Sequence, residues 1–205
     1  MKHVKLILTT LTLAAFTSLS STFAQAVDEV AVFSLKFGKD KNLRQVVIDL
    51  DEVNAPKTSE NFKKLARKRF YKKVLIHRVA PNFLVQTGDP LSKRKDKSEA
   101  GTGGPGYTIP AEIRNKITRG SVVTARLPDD INPARHSNGS QFYFALTNMP
   151  DRNGKDTVFG HVISGIEILD EISLKNTDTN NFPIEKIQIR SIKILPKSQF
   201  TPTTE

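Results

Sequence analysis

Short β-like runs, several of them alternating apolar and polar positions with a period of two, recur along this chain, and two stretches switch to helical spacing. From Val30 to Phe37, Ala31, Phe33, Leu35 and Phe37 share one face. Gly38 to Asn42 reads as a turn, and Val46, Ile48 and Leu50 mark the return strand of an antiparallel hairpin. Pro56 suits the first position of a helix, with Glu60 expected in the first turn, where the dipole favours an acid. Phe62, Leu65, Ala66 and Phe70 form its apolar stripe, which leaves Lys63, Lys64, Arg67 and Lys68 on a face expected to be solvated. Val74 to Asp89 is a strand, a Pro81-Asn82 corner and a second strand. Three more β-like runs follow at Ser121 to Arg126, Ser140 to Leu146 and Thr157 to Val162.

Ser164 and Glu167 have capping-box spacing, and Ile166, Leu169 and Ile172 supply the apolar side of a second helix. The final strand alternates at Ile187 and Ile189, then resumes out of phase at Ile192 and Ile194. That slip predicts a β-bulge near Arg190-Ser191. Eight strands and two helices that do not alternate argue against a parallel sheet. They favour a mainly β, antiparallel structure, closed or sandwiched. Lys197 to Glu205, with Pro202 among threonines, is expected to be a disordered tail.

Between the fourth and fifth strands lies Gly101-Thr102-Gly103-Gly104-Pro105-Gly106-Tyr107, whose glycines match a dinucleotide-binding spacing. That site needs a strand before it and a helix starting on it. Here a charged loop precedes, Pro105 interrupts, and extended chain follows; nor does a Gly-Lys-Ser/Thr follow to make a phosphate loop. The loop is expected to let backbone approach a ligand or a neighbouring segment closely.

A chain of 205 residues holds one core of ordinary size. Cysteine is absent, which excludes disulfides, thiolate chemistry and cysteine-based zinc sites. His136 and His161 lack metal-site spacing, and no cofactor or metal is expected. The formal charge of +10 bears on solubility and encounter, not on fold. Lys93-Arg94-Lys95 and the basic helix face are candidate nucleic-acid contacts. No interleaved aromatics accompany them, so no specific nucleic acid is expected. Met1 to Lys5 is basic, Leu6 to Leu19 is an apolar run diluted by threonine, and Ala24-Gln25-Ala26 offers small residues for cleavage, with Thr22-Phe23-Ala24 as the alternative. The run falls short of the ~20 apolar residues of a membrane anchor. Residues 1–26 are therefore expected to be a cleavable export signal. They would precede a 27–196 domain of a monomer that is periplasmic in a bacterium, or else secreted, and not held at a membrane.

Within the central stretch, Arg78 occupies a strand position. A guanidinium is costly to bury alone, so it must find acceptors or line an accessible groove, which Phe83 and Gln86 are placed to share. The residues alone leave two readings open: a recognition site, or a surface salt bridge beside a core Phe. The run His77-Arg78-x-x-Pro81-x-Phe83-x-x-Gln86-x-Gly88-Asp89 resembles the signature of cyclophilins, the peptidyl-prolyl isomerases. Ala55 to Phe62, Gly101 to Gly104, Ser137 to Tyr143 and Thr157 to Gly160 resemble further blocks of that family, so the likeness runs from about Val30 to Leu195.

The resemblance implies a closed eight-stranded antiparallel β-barrel capped by two helices. It also implies an isomerase acting on X–Pro bonds of unfolded or partly folded exported chains. Arg78 matches the catalytic arginine and His77 its neighbour. Phe83, Leu84, Gln86, Gly101, Ala125, Arg126, Gln141 and Tyr143 match positions lining the proline pocket and peptide groove. Cyclosporin-like ligands are a further implied binder. The chain departs from the family pattern with Leu84 for Met, Arg126 for Asn and Tyr143 for Phe. Arg152 replaces an apolar wall residue, and Asp156 stands where His or Tyr is frequent. Arg152 is expected to lay its stem on the wall and expose its head. The alternative function is a holdase that grips proline-containing chains with little turnover, its pocket blunted by Arg152.

Overall fold

Both faces of the first strand are buried, so its alternation sorts residues between two clusters rather than between core and solvent. Ala31, Phe33, Leu35 and Phe37 enter the main core, while Val30 and Val32 pack with Val47 against Leu195 and Phe200. The computed structural model describes residues 28–200. The expected export signal and its cleavage sites lie outside the described residues, as do residues 201–205 of the expected tail.

The elements run β1 (Glu29–Phe37), β2 (Leu43–Leu50), α1 (Pro56–Arg67), β3 (Arg78–Ala80), β4 (Leu84–Thr87), β5 (Ser121–Thr124), β6 (Phe142–Ala145), β7 (Val158–Ser164), α2 (Ile166–Ser173) and β8 (Ile187–Pro196). All eight strands join one antiparallel sheet in the order β3-β4-β6-β5-β7-β2-β1-β8. The sheet is a curled half-barrel and not the closed barrel expected. No ladder joins its edge strands β3 and β8. An isolated bridge pairs Leu75 with Gln188, and the Ile76 N–H donates to the Ile187 carbonyl at 2.9 Å. Beyond that point the chain leaves β8, and the Val79 N–H turns to the Asn181 carbonyl instead, at 2.9 Å. The ladder stops there because the Val79 N–H is spent on Asn181, outside β8.

Inside the curl, Phe33, Phe62, Tyr71, Phe142, Phe144 and Phe159 meet at centroid distances of 5.4 to 6.0 Å. Most pairs are edge-to-face, the arrangement the ring quadrupole favours. Helix α1 contributes Phe62, Leu65 and Ala66 to this core, and α2 contributes Leu169 and Ile172, as their spacing predicted. Among the described residues no helix is long and apolar enough to cross a membrane.

Several local expectations change. The first turn of α1 holds no acid. Its free amides are served by Glu112, which accepts from the Lys57 N–H at 3.1 Å and the Thr58 N–H at 2.8 Å. A carboxylate from a distant loop thus meets the positive end of the helix. Lys63 does not lie on a solvated face: it is 6% exposed and sits among Glu52 at 2.7 Å, Glu29 at 3.1 Å and Glu60 at 3.4 Å. Ser164 ends β7 instead of capping α2, whose N-cap is Gly165 at φ 84°. A β-carbon there would stand 2.4 Å from the Gln45 carbonyl oxygen, so only glycine fits. The predicted bulge is present: pairing of β1 with β8 slips from Ser34–Ser191 to Leu35–Ile189, leaving Arg190 unpaired. Past Pro196 the chain runs through a 3-10 turn at Lys197–Gln199 to Phe200, which packs on Val30, Val32 and Val47.

Candidate active site

Strands β3 and β4 form a hairpin in which Arg78 stands opposite Gln86 and Ala80 opposite Leu84. Directly opposed residues share a face, so the register itself brings the guanidinium to the amide. Arg78 Nη1 donates to Gln86 Oε1 at 3.2 Å, and Gln86 Nε2 donates to Gln141 Oε1 at 3.1 Å. Gln141 Nε2 in turn donates to the carbonyls of Gly101 at 2.9 Å and Gly103 at 2.8 Å. A continuous chain of hydrogen bonds therefore ties the arginine to the glycine loop. The loop is pinned from beneath by fully buried Asp89, which accepts the N–H groups of Gly101 and Leu91. A β-carbon on Gly103 would lie 2.3 Å from Asp89 Oδ1, so close approach to a neighbouring segment is what this glycine provides.

Arg78 and Gln86 open onto a cavity of about 220 Å³. Phe83 and Leu84 form one side, Ala125 and Tyr143 another, and Arg126, Met149 and Arg152 complete the lining. A second cavity of about 330 Å³ shares Gln86, Ala125 and Arg126 and reaches Gly101 and Gln141. Ten of the eleven residues singled out from the sequence thus line one continuous groove. The two readings of Arg78 are now separated. Among the described residues it has no carboxylate partner, and Phe83 is 42% exposed on the cavity wall instead of in the core.

Residues 35–194 match the family described as Cyclophilin type peptidyl-prolyl cis-trans isomerase/CLD. The chain belongs to the cyclophilin family. Peptidyl-prolyl cis-trans isomerase-like 1 of Aspergillus fumigatus is 34% identical over 158 residues, covering 76% of this chain and 92% of that protein. A peptidyl-prolyl cis-trans isomerase of Schizosaccharomyces pombe is 34% identical over 148 residues, covering 72% and 91%. The crystal structure of a Cryptosporidium parvum cyclophilin type peptidyl-prolyl cis-trans isomerase superposes with a TM-score of 0.69 at 27% identity, covering 82% of this chain and 98% of that one. A second structure of that protein, in the presence of the dipeptide Ala-Pro, gives 0.68. Family and relatives together assign isomerase activity to this chain. These relatives are eukaryotic, and a bacterial exported form finds no support among them.

In this cyclophilin His77 stands apart from the groove. It is 5% exposed and faces inward, and neither ring nitrogen has a hydrogen-bond partner among the described residues. Burial lowers its pKa to about 4, against the opposing pull of Asp89, so the ring is neutral at pH 7.

The charged departures form one network. Asp156 is 1% exposed and accepts from Arg126 Nε at 2.8 Å, Arg152 Nε at 2.7 Å and the Tyr143 hydroxyl at 3.2 Å. A buried carboxylate needs such partners to remain charged. The expected free head of Arg152 is therefore tethered: its side chain is half exposed, but Nε stays on Asp156. The Arg126 side chain is only 6% exposed and also meets Asp129 and the carbonyls of Lys155 and Leu127. Burial first, and then the Asp156 charge, raise the Tyr143 pKa and keep its proton in place. Sequence reasoning passed over Met149, which seals the cavity from a small cluster with Leu84, Ile117, Val123, Tyr143, Ala145 and Val158. Its signal was its place in the same Met149–Gly154 turn that drew attention to Arg152.

Proposed function

We propose that this cyclophilin accelerates rotation about X–Pro bonds by holding the prolyl ring in the Phe83–Leu84–Tyr143–Met149 cavity while Arg78 stabilises the twisted amide. The observation that carries the reading is the coincidence of a guanidinium that Gln86 positions, with no carboxylate partner among the described residues, and an apolar cavity floor. Rotation must break amide resonance, a barrier of ~18–20 kcal/mol. The twisted state localises a lone pair on the prolyl nitrogen and breaks no bond. A fixed N–H donor aimed at that lone pair therefore favours the twisted state over the planar one. Arginine holds its charge throughout, so the effect is electrostatic and involves no proton transfer. A 10⁴-fold acceleration requires about 5.5 kcal/mol, within reach of a few charge-assisted hydrogen bonds in a partly dry site. The Ala-Pro dipeptide that accompanies the similar Cryptosporidium structure supports X–Pro as the recognised unit.

The substrates proposed are unfolded or partly folded chains met after export, on the pattern of residues 1–26. Intact mass of the chain recovered from its native cell checks this, with a start at Gln25 or Val27 expected and a retained Met1 contradicting it. The activity itself is tested by isomerisation of a proline peptide with the purified chain. Catalysed exchange is expected. Tight binding with exchange at the uncatalysed rate would establish the holdase reading in its place.

A further inference from the structure

Around the rim of the 220 Å³ cavity the charges do not balance. Arg78, Arg126 and Arg152 line it, Arg135 pairs with Asp129 beside it, and against these four arginines stand Asp129, Asp156 and the exposed Asp130, which leaves a local excess of one positive charge. Asp151 and Lys155, exposed in the adjoining turn, cancel one another. The four arginines are not equivalent. Arg126 is buried and spends its donors on Asp156, Asp129 and two carbonyls, and Arg135 is held by Asp129 and the Gly154 carbonyl. Arg78 spends one donor, on Gln86. Arg152 gives Nε to Asp156 and lies beside the Tyr143 hydroxyl, and among the described residues no carboxylate takes its terminal nitrogens. Arg78 and Arg152 line the same cavity, both exposed, with donors to spare.

We infer that this rim is a carboxylate subsite, by which the enzyme selects X–Pro segments carrying Asp or Glu beside the proline. A guanidinium presents parallel N–H donors that match a carboxylate in two-point contact. Arg152 is suited to this because Asp156 already fixes its Nε, so little side-chain freedom remains to be lost on binding. A solvated arginine with no role needs no buried carboxylate to hold it over the mouth of a pocket. The cavity also admits a proline ring, so the anion that reaches Arg152 is one carried on a residue next to that ring. The inference rests on the isomerase reading and refines its substrate class.

The test uses three peptides that differ only at the residue adjoining proline, Glu, Gln or Lys, with a second set placing the substitution on the other side of the ring. Both kcat/KM and Kd are measured at low and high salt. At low salt the Glu peptide should exceed the Gln peptide by about two- to fivefold on at least one side, the range of a partly exposed charge pair. High salt should shrink that ratio toward one. Arg152→Gln should abolish the ratio whatever its effect on overall rate, and Arg152→Lys should retain part of it. Equal treatment of Glu, Gln and Lys peptides by the wild type at low salt overturns the subsite, and this outcome needs no variant to fold. A ratio that survives Arg152→Gln overturns its assignment to Arg152. If no peptide is turned over, the isomerase reading fails by itself, and the Kd ratio still decides whether the carboxylate subsite exists.

Discussion

Replacing Asp156 with alanine withdraws the one carboxylate on which Arg126, Arg152 and Tyr143 converge. The three partners lose unequally. Arg152 is half exposed and can turn to water, so its share is that of a surface pair, ~0–1 kcal/mol. The Tyr143 hydroxyl is buried and left without an acceptor, a cost of ~1–3 kcal/mol. Arg126 is buried but keeps Asp129 and two carbonyls, so it suffers only part of the ~3–5 kcal/mol typical when a buried pair loses one member. Together these place Asp156→Ala at about 2–4 kcal/mol destabilised, with Asp156→Asn milder because one oxygen still accepts. Adding Arg126→Met to Asp156→Ala should cost less than the two single changes combined, since no orphaned charge remains. Urea unfolding followed by circular dichroism reads all five proteins: wild type, the three single variants and the double variant. An Asp156→Ala midpoint within experimental error of wild type, or strict additivity in the double variant, would refute the reasoning.

Two further outcomes follow from neighbouring residues. The His77 pKa is lowered from 6.5 to about 4 by burial, so the unfolded chain binds the proton more readily. Stability held above pH 6.5 is then lost as pH falls toward 4, by roughly 3 kcal/mol in all. Over that window His77→Gln should lose less stability on acidification than wild type, and parallel stability–pH curves would contradict the assignment. Gly103→Ala would place a β-carbon 2.3 Å from Asp89 Oδ1 and 2.6 Å from Leu91 Cγ. It should cost about 1–3 kcal/mol by overpacking and weaken proline-peptide binding as the loop leaves Gln141, both checked by thermal unfolding and peptide titration.

What the sequence disclosed was local in character. The two-residue period marked β1 and β2, the helical period marked α1 and α2, and the slip at Ile192 located the bulge, because each pattern lies within a few residues of chain. The groove was legible because Arg78, Phe83 and Gln86 lie on one hairpin, and because their spacing with the blocks around Gly101 and Gln141 is a family pattern. What stayed hidden was pairing across long stretches of chain. The burial of Lys63 depends on Glu29 and Glu52, the start of α1 on Glu112, and the tether of Arg126 on Asp156. Charge pairing has no period, so a buried lysine and a solvated one read alike in the sequence. The open seam of the sheet escaped for the same reason, since it depends on where the Val79 N–H finds the Asn181 carbonyl.

The central claim is that Arg78 carries turnover, and one comparison tests it most directly: isomerisation of a proline peptide by wild type, Arg78→Ala and Arg78→Lys. Arg78 is exposed on the groove, so both variants should fold, as circular dichroism would show. Loss of one charge-assisted interaction of roughly 2–4 kcal/mol predicts a fall in kcat/KM of about 30- to 1000-fold. Arg78→Lys should be nearly as damaging, because a compact ammonium cannot both hold Gln86 and present a second planar donor to the prolyl nitrogen. A folded Arg78→Ala variant that keeps wild-type turnover would contradict the account.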